Sequence, residues 1–93
     1  MAFTIVLAPE AVEDYKRLRA GVRAALETHL RHEPEKLSRS RIKRLRGLRQ
    51  PQYRLRVGEV KIFYDVTGTT VQVLAIVSKQ KAGLWLAQFA NPE

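Results

Sequence analysis

The sequence predicts an α+β fold, with an N-terminal helical hairpin packed on a twisted, mainly antiparallel four-stranded sheet and a short helix at the C-terminal end. Three observations carry this. Apolar residues recur at helical spacing from Ala11 to Leu30, strand-forming runs joined by tight turns fill 53–78, and helical spacing returns at Ala82, Trp85, Leu86 and Phe89. Ninety-three residues make one domain over 1–93, with a single core that buries ~60–65% of the unfolded surface.

Each element has its own warrant. Phe3–Leu7 (FTIVL) is a short apolar run before Pro9 and reads as a buried first strand. Pro9 suits the first turn of a helix, and Glu10, Glu13 and Asp14 favour the positive end of its dipole, although Ala8 is a poor N-cap. Ala11, Val12, Tyr15 and Leu18 form one apolar stripe. Val22, Ala25, Leu26, His29 and Leu30 form a second, and the break between them is expected at Gly21. Pro34 and the polar LSRSR passage make a connection, after which RIKRLRG is either a short strand or an extended loop.

The segment YRLRVGEVKIFYDV, Tyr53 to Val66, sets the register of the sheet. Gly58-Glu59 fits a two-residue hairpin loop of type II′, which needs glycine at its first central position. Val57 then pairs with Val60, Arg56 with Lys61, Leu55 with Ile62, Arg54 with Phe63 and Tyr53 with Tyr64. Directly paired residues share a face. One face is therefore apolar, and the other gathers Arg54, Arg56 and Lys61 beside Phe63. A further turn at Thr67–Thr70 leads into VQVLAIVS, apolar on both faces as an interior strand should be. Pairing Val66 with Val71 assigns Val73, Ala75 and Val77 to the core and Leu74 and Ile76 to the basic face. The C-terminal helix is expected to cover part of that apolar floor.

Charge narrows the function classes. The net charge of +8 arises entirely within 31–61, where eleven basic residues face only Glu33, Glu35 and Glu59; the flanking segments are balanced. Such a concentration is the footprint of a polyanion partner. The absence of cysteine removes disulfides, thiolate metal sites and thiol nucleophiles, and fits a reducing cytoplasm. No run approaches the ~20 apolar residues of a membrane span, and MAFTIVLAPEAVEDY lacks the pattern of a signal peptide, so no membrane association is expected. No metal constellation, glycine-rich phosphate loop or serine nucleophile is apparent, and no cofactor is implied. His29 and His32 read as packed or capping residues on the helix side.

The residues KRLRG (43–47), YRLRVGEVKIFYDV (53–66) and VQVLAIVSK (71–79), in this order, resemble the RelE/ParE superfamily of bacterial toxin-antitoxin toxins. The likeness runs from about Phe3 to about Leu86 and implies the RelE-like microbial RNase fold. It also implies a cognate antitoxin that occludes the basic groove. RelE-like members cut mRNA in the ribosomal A site, whereas ParE-like members inhibit DNA gyrase; an inactive, antitoxin-binding member is a third alternative. By position, Arg54 and Arg56 match the family's basic pair, and Lys61 matches a basic residue of the next strand. These three are the candidate catalytic residues. Lys43, Arg46, Lys79, Lys81 and Trp85 are the candidate substrate contacts. The sequence departs from the pattern where the family often has an arginine followed by a tyrosine: here Gln80, then Trp85 or Leu86, fall near those positions.

The chemistry that this set offers is metal-free RNA cleavage by attack of a 2′-hydroxyl on the adjacent phosphorus. Arginine is always charged and clamps phosphate oxygens through two donors, so Arg54 and Arg56 suit charge stabilisation. Lys61, crowded by cations, is either a base of lowered pKa or a further clamp. An indole is neither acid nor base, so Trp85 cannot take over the tyrosine's role; it offers only a flat face for stacking.

Overall fold

In the computed structural model, which describes residues 2–93, the chain begins with β1 (Thr4–Leu7), α1 (Pro9–Arg17), α2 (Ala20–His32), β2 (Ile42–Arg44) and β3 (Leu48–Gln50). It continues through β4 (Tyr53–Val57), β5 (Val60–Thr67), β6 (Thr70–Ser78), a 3-10 turn at Lys79–Lys81, α3 (Ala82–Phe89) and β7 (Asn91–Pro92). The main sheet has five strands in the order β1-β6-β5-β4-β2, one more than the sequence suggested. The RIKRLRG segment supplies the fifth, with Ile42 opposite Leu55 and Lys43 opposite Arg54. β1 runs parallel to β6 and every other pairing is antiparallel. A second, two-stranded sheet joins β3 to β7, and no sequence signal announced it.

The hairpin register is the one expected, from Val57 opposite Val60 to Tyr53 opposite Tyr64. Gly58 has φ +57° and no described non-glycine residue has positive φ, as a type II′ turn requires. α1 and α2 cover the apolar face. Ala11, Leu26 and Leu30 pack there with Ile42, Leu55, Ile62, Tyr64, Val71, Val73 and Ile76. The Tyr64 hydroxyl donates to the Pro34 carbonyl at 2.5 Å, so the one polar tip in this core is satisfied. Burial, then the neighbouring Tyr53 and Glu35, push that phenol above the ordinary tyrosine range.

Three expectations need correction. β1 is not a buried strand: it is an edge strand with one neighbour, covered on one face, and Val6 remains 45% exposed. The helices part at Leu18-Arg19 rather than at Gly21, which lies in the first turn of α2. There the backbone turns extended and the Arg23 guanidinium reaches back to the Leu18 carbonyl at 2.9 Å, satisfying a helix-end acceptor that glycine could not. Finally, the β5–β6 register slips: Phe63 faces Ala75, Tyr64 faces Val73, and Leu74 is the extra residue of a bulge. Beyond it the faces exchange. Ile76 enters the core beneath the helices, while Ala75 and Val77 join the opposite face. A strand apolar on both sides carries no alternation to fix this choice.

Candidate functional site

The pairing of β2, β4, β5 and β6 builds the outer face of the sheet directly. Lys43 lies opposite Arg54, Arg54 opposite Phe63, Phe63 opposite Ala75, Arg56 opposite Lys61, and Lys61 opposite Val77. All seven side chains therefore project from one surface. Its floor is Phe63 and Ala75, both buried, with Leu45, Val77, Ala82, Trp85 and Leu86 packed around them. Trp85 stacks on Phe63 with ring centroids 4.9 Å apart and planes 8° from parallel, and Phe89 tilts against Trp85 at 5.7 Å. A stacked pair of this kind contributes ~0.5–1.5 kcal/mol beyond its buried area. α3 is thereby fixed over one end of the face while the cations stay uncovered.

Lys79 is brought to the same cluster by its backbone, whose N–H donates to the Glu59 carbonyl at 2.8 Å and ties the 3-10 turn to the hairpin tip. The Lys61 ammonium is held below the usual lysine range, first by burial and then by the charges of Arg54, Arg56, Lys79 and Lys43. The Arg54 guanidinium is likewise pushed down by burial and by Arg56. It remains charged at any physiological pH. Its Nη2 reaches the Arg41 carbonyl at 3.4 Å, while its Nε is buried with no hydrogen-bond partner. Arg56 is exposed, with Nε 3.4 Å from the Gly58 carbonyl.

No acid relieves this crowding. The ion pairs among the described residues join Glu13 to Lys16, Glu27 to Arg31 and Glu33 to Lys36, all on the helices or just beyond them. Arg46 does not join the cluster; it lines a separate depression with Arg44, Gly47 and Glu93. Lys81 is exposed at the end of the 3-10 turn and is not among the charges acting on Lys61. His29 and His32 are carried by α2, away from the cations, with His29 half-buried and His32 exposed. No group of three or more His, Cys, Asp or Glu among the described residues could hold a metal ion. No helix of the described residues is long and apolar enough to cross a membrane.

Sequence reasoning overlooked the clamp that frames the site. Asp65 accepts from Gln50 Nε2 at 2.8 Å and from the Gln52 backbone N–H at 2.7 Å, while Gln52 Oε1 accepts from the Val66 N–H at 2.9 Å. These bonds pin the Gln50–Gln52 segment to β5. The only hint was Asp65, the one acid of β5.

No family model matches the chain, and no curated protein matches its sequence. Solved structures do. The archaeal RelE–RelB complex from Pyrococcus horikoshii contains a chain that matches with a TM-score of 0.67 at 18% identity, over 88% of this chain and 100% of that one. The RelBE2 toxin-antitoxin complex of Mycobacterium tuberculosis gives 0.62 at 23% identity, covering 84% and 99%. The isolated RelE toxin of E. coli gives 0.62 at 17% identity, covering 94% and 95%. The chain therefore has the α+β fold of the RelE toxins.

Proposed function

We propose that this chain is the toxin of a toxin-antitoxin system, a ribosome-dependent mRNA interferase that acts in the cytoplasm and is neutralised by a cognate antitoxin. One observation carries the reading: Lys43, Arg54, Arg56, Lys61 and Lys79 converge on one sheet face with no acid among them, on a RelE fold. Messenger RNA held in the ribosomal A site supplies the missing negative charge. Arg54 and Arg56 clamp the non-bridging oxygens of the scissile phosphate through their guanidinium groups. Lys61, lowered by its surroundings, takes the 2′-hydroxyl proton in its neutral form as that oxygen bonds to phosphorus; the P–O5′ bond breaks and the leaving 5′-oxygen takes a proton from water. Lys43 and Lys79 extend the phosphate track. Trp85, stacked on Phe63, shapes the floor rather than receiving a base. The antitoxin, present with RelE in the complexes of similar fold, covers the strip with an acidic amphipathic segment.

A second reading is favoured by one feature. Tyr53 and Tyr64 belong to the face opposite the cations, so no phenol or imidazole stands beside Lys61 to protonate a leaving group. That suits a ParE-like inhibitor of DNA gyrase that performs no chemistry. Primer extension on message from translating ribosomes separates the two. The first reading gives new ends inside A-site codons, absent with Arg54→Ala combined with Arg56→Ala. Intact message together with blocked gyrase supercoiling establishes the second.

A further inference from the structure

A second surface has the opposite electrostatic character. Between α1 and α3 lies a groove of about 530 Å³ whose wall and floor include Leu74, Val77, Trp85 and Phe89 and whose rim carries Glu10 and Asp14. α3 has no charged side chain, and its Leu84 and Phe89 are 61% and 60% exposed, so this end of the molecule presents apolar surface to water. Glu10 sits in the first turn of α1, where the helix dipole explains it. Asp14 lies one turn further on, where the dipole has faded, and like charges four residues apart repel. In a chain with 17 Lys and Arg, neither carboxylate makes an ion pair among the described residues. The bulge at Leu74 adds to the effect by turning that side chain into the groove wall.

We propose that this groove docks an amphipathic protein segment whose apolar side chains seat on Leu74, Trp85 and Phe89 while Lys or Arg residues along one flank meet Glu10 and Asp14. Charge complementarity selects this occupant. On a chain of net charge +8, a cationic segment is repelled everywhere except at such a rim. Nucleic acid is excluded by the same carboxylates. The groove borders the cation strip and shares Val77 and Trp85 with its floor, but none of the strip's cations lines it, so docking here does not depend on the proposed nuclease chemistry.

Trp85 is the sole tryptophan, and its emission reports the groove. The probe is a short synthetic peptide with leucines at helical spacing and lysines along one flank, compared with the same peptide bearing glutamates. The lysine peptide is expected to shift Trp85 emission to the blue, and added salt to weaken its binding. Glu10→Gln combined with Asp14→Asn weakens it about tenfold, with folding verified by thermal melting. Phe89→Ala, at an exposed position, weakens it independently of any effect on helix α1. Arg54→Ala combined with Arg56→Ala leaves it intact, which separates this surface from the RNA strip. The proposal is overturned by unchanged emission, by equal affinity for the neutralised rim, by preference for the glutamate peptide when Arg54 and Arg56 are both replaced, or by self-association that shields Trp85 without peptide.

Discussion

The two faces of the central sheet are made by the same strands, residue by residue in alternation, yet obey different rules. The inner face sets Leu55 against Ile62 and Ile62 against Ile76, closes under Leu26 and Leu30, and satisfies the buried Tyr64 hydroxyl through Pro34. The outer face sets Arg54 against Lys43 and Arg56 against Lys61, with no acid to relieve either pair. Directly opposed like charges cost ~0.2–1 kcal/mol each. The inner face thus optimises stability, while the outer face gives up some stability, a sacrifice that the proposed anion site would explain. Conflict between levels of this kind is expected where function resides.

The contrast can be broken face by face. Ile62→Ala empties the middle of the inner face and should lower unfolding free energy by ~2–5 kcal/mol in denaturant titration, without any specific effect on the cation strip. On the outer face, Arg54→Ala combined with Arg56→Ala should reduce message cleavage on ribosomes by about 10²–10³-fold with no loss of stability. Tyr64→Phe strands the buried Pro34 carbonyl and should cost ~1–3 kcal/mol in the same titration, again on the inner face only.

The smallest kinetic effect is a shift in pH dependence. With neutral Lys61 as the base, cleavage should rise with pH and level off below the ordinary lysine value of 10.5. Arg56→Gln removes one of the charges holding Lys61 down, so in the residual activity the plateau should move to higher pH. A rate that falls as pH rises through this range would instead make Lys61 a clamp whose charge is required.

How much of this was legible depended on how much of the pattern a single residue decided. Gly58 settled the hairpin, and with it the shared face of Arg54, Arg56 and Lys61, because only one backbone conformation closes a two-residue loop there. Ala82, Trp85 and Phe89 gave α3 by spacing alone. The exchange of Ala75, Ile76 and Val77 between faces was hidden, since an apolar residue suits either side and the bulge at Leu74 leaves no local mark. The helix break was also hidden. It is accompanied by Arg23 bonding back to Leu18, a contact made by a long side chain, whereas glycine at 21 offered a more visible but unused breaking point. Arg46 sits within the same basic run as Lys43, but Gly47, with φ +76°, turns the chain between it and the next strand, and charge count alone carries no such direction.

The central claim, that the outer face keeps cations together against its own stability, is tested most directly by thermal melting of Arg56→Gln beside the natural chain as salt is raised. Lys61 binds its proton less readily in the folded state, so the natural chain should gain stability as pH rises from that lowered value towards the unfolded one near 10.4. At neutral pH and low salt, Arg56→Gln should melt roughly 1–6 °C higher, and the difference should close as salt screens the cluster. A variant that melts lower, or no differently at low salt, would contradict the account.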